Sequence, residues 1–247
     1  YEITYGDWSS DVCSSDLCRD RNRLGLQADL LGAAALGIRN IVCMTGDDVT
    51  AGDHPEAKPL YDIDGVHLLR IARTLRDEGV NLSGRALTSP PSYLIGAVEN
   101  PFAPPHDFRP HRLGTKIDAG AEFVQTQCCF NPPRLRAFLD ACGDLGHLDR
   151  AAIIVGVFVP RSARALRYLR DEVPGMDVPD AVMERLAGTP EDRQWETAID
   201  MAVELIGELR GMQGVAGLHL MTIRNAAALP VVLERAGLLP RTSALLA

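Results

Sequence analysis

The chain has 247 residues, of which 46% are hydrophobic and 23% charged, so it is long enough to bury one substantial core. Its formal net charge of -8 argues against a nucleic-acid-binding protein, which needs a basic surface. No apolar run approaches the roughly 20 residues that span a bilayer. The six cysteines show no Cys-x-x-Cys pair and no metal-ligand spacing. They therefore indicate reduced thiols in a cytoplasmic protein without a metal site.

Residues 1–17 differ in composition from the rest of the chain. The segment, YEITYGDWSSDVCSSDL, contains four acidic residues, no lysine or arginine, and neither helical nor strand periodicity. Its run GDWSSDVCSSDL resembles a translated sequencing adapter, and a segment of that kind is set aside in reasoning about a fold. A disordered Ser/Asp-rich tail is the alternative. We therefore predict a non-native leader over residues 1–17 and one domain over residues 18–247.

From residue 18 onward, apolar strand-like runs alternate with amphipathic helices. Strands are predicted over 38–45, 92–100, 122–130, 151–160 and 217–223. Helices are predicted over 26–37, 66–79, 132–146, 191–212 and 225–237, with a helix end over 112–121 and one or two more helices between 160 and 191. This alternation is typical of parallel βαβ units. No strand precedes a Gly-x-Gly-x-x-Gly run, so a Rossmann fold has no local support, and five strands are fewer than the eight of a closed barrel.

Three stretches, in order, carry a family resemblance. They are CRDRNRLGLQADLLGAAALGIRNIVCMTGDD (18–48), KIDAGAEFVQTQCCFN (116–131) and GLHLMT (217–222). Together they resemble the flavin-dependent methylenetetrahydrofolate reductase family, in the subgroup often fused to or paired with a homocysteine S-methyltransferase. The resemblance implies an α/β fold of the (β/α)8 TIM-barrel type, N-terminally truncated, with strands 1–3 largely missing before Cys18.

The resemblance also implies an activity. It is the FAD-dependent reduction of 5,10-methylenetetrahydrofolate to 5-methyltetrahydrofolate with NAD(P)H, in one-carbon and methionine metabolism. The implied partners are the folate substrate, a homocysteine methyltransferase as partner or fusion, and further copies of the chain in a homo-oligomer; no nucleic acid or membrane is implied. The family's first-strand glutamate, used as an acid, would precede Cys18. We therefore expect the fragment itself to be inactive, and the exposed edges of an open barrel to make it poorly soluble.

Asp47 is the predicted catalytic residue. It directly follows a predicted strand, and in a barrel the catalytic groups collect at the carboxyl ends of the strands. By resemblance, Asp47 contacts both the flavin and the folate, where a carboxylate tunes the cofactor and holds the reacting ring. The alternative is a loop aspartate that caps the following turn.

Gln127 and Thr222 are the predicted substrate-binding residues. In EFVQTQCCF, strand alternation places Phe123, Gln125 and Gln127 on one face, and Val124 and Thr126 on the other. The outer face of a barrel strand packs against apolar helices, so Gln127 is expected to point inward, and the resemblance assigns it to folate binding. A polar network inside the barrel is the alternative. Thr222 matches a strand-end position near the folate.

The other FAD assignments come from the resemblance. They comprise Thr45, Gly46, Tyr61, Gly96, Asn100, Arg112 and Lys116, in addition to Asp47. Lys116 matches a lysine near the phosphate region of the flavin, and its alternative is a solvated lysine that favours the helix dipole. Arg112 could pair with pyrophosphate oxygens, whereas Arg109 is interpreted as a surface arginine. Around Asn100 this chain has VENP, where some members carry a histidine.

Two other functions stay open at this point. One is a barrel lyase that uses Lys116 as a Schiff base, although such a lysine belongs at a strand end and Lys116 precedes its strand on a helix. The other is a flavin-less barrel module that accompanies a methyltransferase.

Overall fold

The computed structural model describes residues 13–52 and 54–239, which form one six-stranded parallel sheet. Each strand pairs with the next one along the chain. The strands are β1 Cys13–Leu17, β2 Asn40–Met44, β3 Leu94–Glu99, β4 Phe123–Cys128, β5 Ala152–Phe158 and β6 Val215–Met221. The predicted parallel α/β sheet is confirmed. Its sequential order is that of a singly wound barrel wall and differs from the order of a doubly wound sheet.

Eight α-helices connect or follow the strands in the described ranges. They are α1 Arg23–Ala35, α2 Gly65–Arg73, α3 Arg109–Ala119, α4 Pro132–Asp144, α5 Ala163–Glu172, α6 Asp180–Ala187, α7 Gln194–Arg210 and α8 Ala228–Arg235. Several begin at a side-chain cap, as at Asn22, Asp64 and Ser162, which accept hydrogen bonds from otherwise unpaired amides of the first turn. The helix predicted over 66–79 changes character at Arg73 and continues as a π-helical turn, Thr74–Glu78. No helix in these ranges has the length and apolar character to cross a bilayer.

The sheet contains one strand more than the five predicted. Strand β1 lies within the segment that we set aside as foreign, and it pairs in parallel with β2, from Cys13 opposite Asn40 to Leu17 opposite Met44. The expectation that this segment holds no strand was wrong for these five residues, because the main chain at the edge of β2 can pair with any extended chain. Residues 1–12 lie outside the described residues, and the origin of residues 1–17 stays a prediction.

The two faces of the sheet have different packing partners. The larger hydrophobic core joins strand residues such as Ile41, Ile95 and Val124 to the surrounding helices. The opposite face carries a smaller cluster centred on Val42, Phe123 and Ile154, to which only strand residues contribute. In the part of the chain that the structure describes, β1 and β6 each pair on one side only. The sheet is therefore an open arc with a helix-covered outer face.

A glycine in α3 makes room for a buried histidine. An ideal Cβ at Gly114 would lie 2.7 Å from both Cε1 and Nε2 of His147, whose exposure is only 8%. We expect Gly114→Ala to lower the free energy of unfolding by about 1–3 kcal/mol, the usual cost of overpacking, as measured by urea denaturation. Gly32→Ala in α1 is the control, because no described neighbour lies within 4 Å of the added methyl. That change should stabilise the helix by about 0.5–1 kcal/mol, and equal effects of the two changes would contradict the packing argument.

Candidate functional site

A cavity of about 550 Å³ opens at the carboxyl ends of β1, β2 and β3. This edge of a parallel sheet is where α/β proteins collect their binding loops. The predicted cofactor residues that line it are Thr45, Gly46, Asp47, Arg112 and Lys116. The rest of the wall consists of Arg19, Cys43, Met44, Asp64, Gly65, Val66, Leu69 and Val98. The structure therefore brings two separate sequence motifs, the Thr-Gly-Asp turn and the lysine of α3, to one cavity.

The turn after β2 is held against the first turn of α2. Gly46 has φ +90°, a conformation that costs little only for glycine. The Thr45 hydroxyl accepts a hydrogen bond from the amide of Gly65 at 3.1 Å. An ideal Cβ at Gly65 would lie 3.3 Å from the amide nitrogen of Thr45, so the chain approaches closely here. These contacts position Thr45, Gly46 and Asp47 along the cavity.

The main chain of Asp47 is fixed while its side chain stays exposed. Its carbonyl accepts hydrogen bonds from Arg19 Nη1 at 3.2 Å and from the Tyr61 hydroxyl at 3.1 Å. Tyr61 has φ +41°, an unusual conformation for a residue with a side chain. Within the described residues, no hydrogen bond reaches the Asp47 carboxylate. Tyr61 therefore acts on the site by holding Asp47, and the carboxylate is available to a ligand.

A buried ion cluster forms the opposite wall of the cavity. Lys116 Nζ lies 2.6 Å from Glu99 Oε2 and donates to the carbonyl of Val98 at 2.5 Å. The Glu99 side chain is 1% exposed. Burial lowers the pKa of Lys116, and the Glu99 carboxylate opposes that shift. The predicted alternative of a solvated helix-end lysine is therefore wrong, because this side chain turns inward to a carboxylate.

The sequence analysis missed Glu99 and misplaced Arg109. Arg109 was interpreted as a surface arginine, but its side chain is only 11% exposed and lies 3.5 Å from Glu99. It also donates to the carbonyls of Ala103 and Pro104, both at 2.8 Å. An acid at the end of the apolar run SYLIGAV was the available signal, since a charge buried in a strand needs a partner.

Gly96 lies away from the cavity wall. It is buried in β3, and an ideal Cβ there would lie 2.2 Å from Cζ of Phe123. The glycine leaves space for the Phe123 ring on the strand-only face of the sheet. The structure therefore gives Gly96 a packing role, and its predicted contact with FAD gains no support from this position.

Asn100 is engaged in loop contacts. Its Nδ2 donates to the carbonyl of Gly175 at 2.9 Å, and its Oδ1 accepts from the amide of Phe102 at 3.0 Å. The Nδ2 contact therefore ties the loop after β3 to the segment between α5 and α6, and the Oδ1 contact lies within the loop itself. A role in FAD binding stays a prediction that these contacts do not favour.

The predicted substrate residues lie at other strand ends. Gln127 is half-buried, and its Oε1 accepts from the amide of Cys128 at 2.9 Å. The β4–β5 register shifts between Gln125 and Cys128, while burial still alternates along β4, with Gln125 and Gln127 both half-buried. Thr222 follows β6 and donates to the carbonyl of Val159 at 3.0 Å. Neither residue lines the cavity, and their contacts with a folate stay predictions.

Three buried thiols are chemically quiet. Burial raises the pKa of Cys128, Cys129 and Cys142 to about 12. We expect native alkylation by iodoacetamide at pH 8 to be about 10³-fold slower than for a free thiol of pKa about 8.5. The raised pKa values stabilise the fold below about pH 8.5, and this contribution is lost as pH rises toward about 12. Rapid alkylation of these residues in the folded protein would contradict their placement; urea-unfolded protein is the control.

The sheet order and the position of the cavity define the class: a parallel α/β protein, wound strand by strand, with a site at the carboxyl ends of its strands. The chain belongs to the methylenetetrahydrofolate reductase family, because the model of that family matches residues 10–237. It is 25% identical over 242 residues to methylenetetrahydrofolate reductase 1 of Schizosaccharomyces pombe, covering 94% of this chain and 37% of that protein. It is 23% identical to a probable methylenetetrahydrofolate reductase (NADPH) of Caenorhabditis elegans, with coverages of 92% and 33%. The chain spans about a third of the length of these curated relatives.

Solved structures share the fold at low sequence identity. A Clostridium thermocellum protein that binds two copies of 5-methyl-5,6,7,8-tetrahydrofolic acid aligns with a TM-score of 0.56 and 13% identity, covering 91% of this chain and 70% of that chain. DmoA from Hyphomicrobium sulfonivorans aligns with a TM-score of 0.51 and 9% identity, with coverages of 91% and 68%. At these identities the likeness concerns the fold alone.

Proposed function

We propose that the protein to which this chain belongs reduces 5,10-methylenetetrahydrofolate to 5-methyltetrahydrofolate, with FAD as cofactor and NAD(P)H as reductant. Family membership supports the reaction class. The single observation that carries the proposal is the cavity in which Thr45, Gly46, Asp47, Arg112 and Lys116 meet. The folate named for the Clostridium thermocellum protein supports the substrate class. The name of the Caenorhabditis elegans relative favours NADPH.

The residues of the cavity fit a flavin dinucleotide. Arg112 and Lys116 offer cationic donors on one wall, which suit the oxygens of a pyrophosphate. Thr45 and Gly46 offer a hydroxyl and an unobstructed main chain on the other wall, beside the Asp47 carboxylate. Bound FAD would supply hydride transfer from the nicotinamide to the folate. In this arrangement Arg112 and Lys116 hold the phosphates, while Asp47 orients the reacting end.

The ion pair of Lys116 disfavours the Schiff-base alternative. A nucleophilic lysine needs a free lone pair, whereas the Lys116 nitrogen donates to a carboxylate at 2.6 Å and to a carbonyl at 2.5 Å. Lys116 also lies on α3, before its strand, as expected from the sequence. The lysine therefore serves better as a fixed cation than as a nucleophile.

We further propose that the sheet is an arc of a (β/α)8 barrel and that this chain alone does not turn over the folate. The proposal is supported by β1 and β6, each of which pairs on one side only within the described ranges, since a closed barrel needs every strand paired on both sides. A steady-state assay with methylenetetrahydrofolate and NAD(P)H tests this directly. Turnover at a rate usual for enzymes, about 1–10³ per second, would contradict the proposed inactivity while supporting the reaction.

FAD binding to the chain tests the location of the site. We expect Arg112→Met to weaken FAD binding about tenfold or more, the loss of one charge-assisted contact, as measured by quenching of flavin fluorescence. Arg150→Met is the matched control, since both arginine side chains are 49% exposed and Arg150 pairs with Asp118 instead. Equal Kd values for the two variants would place the dinucleotide elsewhere.

The half-reactions are tested by absorbance spectroscopy on this chain and on any longer protein that contains it. A flavin absorbance band that bleaches anaerobically with NAD(P)H and returns with methylenetetrahydrofolate would support the whole proposal. A colourless protein that binds no added FAD would favour the flavin-less module paired with a methyltransferase. A band that the folate does not restore would retain the flavin and reject the substrate.

A further inference from the structure

The carboxylate of Glu99 is the centre of a cluster whose charges do not cancel. Lys116 Nζ lies 2.6 Å from Glu99 Oε2, Arg109 Nη1 lies 3.5 Å from Oε1, and Arg112 Nε lies 3.9 Å from Oε2. The main-chain amide of Asn100 also donates to Glu99 Oε1 at 3.0 Å. Three cations surround one anion, so the cluster carries an excess of positive charge. Because the Glu99 side chain is 1% exposed, water screens these interactions little.

The three cations differ in what else they contact. Arg109 donates to two loop carbonyls, those of Ala103 and Pro104, and does not line the cavity. Arg112 and Lys116 both line it, and the Arg112 side chain is 49% exposed. Arg112 and Lys116 therefore present the excess positive charge to the cavity, whereas Arg109 binds the loop carbonyls.

We propose that Glu99 is a positioning residue, which holds the Lys116 ammonium and the Arg112 guanidinium on the cavity wall as a receptor for a pyrophosphate group. Glu99 acts through these two side chains and does not line the cavity itself. The inference deepens the proposed function and rests on it for the identity of the ligand as a dinucleotide. The receptor itself requires only an anion of pyrophosphate type.

The physical reason lies in the burial of Lys116. Burial disfavours its charged form, and the Glu99 carboxylate is what opposes this effect. The neighbouring Arg109 and Arg112 on α3 also lower the pKa of Lys116 by repulsion. Without the carboxylate, burial and the two arginines all lower the pKa of Lys116, and the ammonium loses its proton at a lower pH. The receptor then loses one of its two cations.

Other ionisable groups near the cluster come from the elements packed around it. Arg19 follows β1, Asp47 follows β2 and Asp64 caps α2, and all three line the same cavity. Burial and the charge of Glu99 both raise the pKa of Cys142 on α4, so its thiol stays protonated. Burial raises the pKa of the Asp64 carboxyl, but hydrogen bonds from His67 lower it overall, so Asp64 stays ionised above neutral pH. The Cys43 thiol lines the cavity as well, so the shift of the break between the wild type and Glu99→Gln, and not the break itself, is assigned to Lys116, the direct partner of Glu99.

The experiment measures Kd for inorganic pyrophosphate and for FAD from about pH 6 to about pH 10, between the usual pKa values of histidine and lysine. It compares the wild-type chain with Glu99→Gln, which keeps the size of the side chain and removes its charge. In Glu99→Gln we expect Kd to rise about tenfold per pH unit above a break that lies at lower pH than in the wild type. Below that break, affinity should equal or exceed the wild-type value, because a negative charge has been removed.

A merely structural role of Glu99 would weaken binding equally at every pH, and that result would overturn the proposal. Arg109→Gln is the control that removes a partner of Glu99 without altering the cavity wall. It should lower the melting temperature and leave the break in the pH profile at or above its wild-type position. A profile of Glu99→Gln that coincides with the wild type would also overturn the proposal.

A second variant decides the matter if Glu99→Gln does not fold. Glu99→Asp keeps the charge but withdraws it from Lys116, so the break should lie at lower pH than in the wild type; an unmoved break counts against the positioning role. The two ligands separate this inference from the proposed function. Wild-type binding of pyrophosphate without FAD would keep the receptor and reject the flavin, whereas binding of neither would reject the receptor.

Discussion

Replacing Lys116 with methionine is expected to lower the free energy of unfolding by about 3 kcal/mol or more, because it removes the nearest partner of a buried carboxylate. The side chains of Lys116 and Glu99 are 10% and 1% exposed, so water cannot take the place of the lost ammonium. Arg109 and Arg112 remain at 3.5 and 3.9 Å from the carboxylate, which places the expected loss at the low end of the range for broken buried pairs. Urea denaturation at pH 7 measures the change.

The double variant Glu99→Gln, Lys116→Met provides the matched control. Removing both charges leaves neither member of the close pair unpaired, and Arg109 keeps its hydrogen bonds to the carbonyls of Ala103 and Pro104, so most of the stability should return. The interaction energy from the double-mutant cycle should therefore be large, since the residues are in direct contact. Additive effects of the two single changes would show that the pair is not coupled in the folded protein.

Replacing Gly96 with alanine is expected to cost about 1–3 kcal/mol, the second large effect, because the added methyl overlaps the Phe123 ring. Ideal Cβ distances of 2.2 Å to Cζ and 2.4 Å to Cε2 require the ring or the strand to move. Phe123 is 1% exposed and packs with Val42 and Ile154, so its ring has no free space to enter. Gly207→Ala, with no described neighbour within 4 Å, should be neutral or stabilising.

Phe123→Leu separates packing from ligand binding at this position. Its smaller side chain should reduce the cost of Gly96→Ala, so the double variant should be more stable than the sum of the single effects. In that background, FAD affinity should be unchanged if Gly96 only accommodates the ring. A tenfold loss of affinity, about 1.4 kcal/mol, with stability restored would instead support the contact with FAD that the family resemblance implied.

The sequence carried more information about strands than about sites. Alternation and apolar runs predicted β2 to β6 to within a few residues, because a strand between helices must be apolar over its buried length. The side-chain pattern did not predict the strand Cys13–Leu17, because pairing of this strand with β2 is made by the main chain.

What the sequence by itself determined is the order of elements, the family, and the placement of Thr45, Gly46 and Asp47 directly after a strand. Only the tertiary structure decided that Lys116 pairs with Glu99. It also decided that Gly96 makes room for the Phe123 ring, and that the Asn100 side chain donates to the carbonyl of Gly175. The reason is physical: periodicity reports which face of an element a residue occupies. The residue that it contacts on that face belongs to a segment distant in the chain. For a buried charged residue or a glycine, the identity of that contact determines what the residue does.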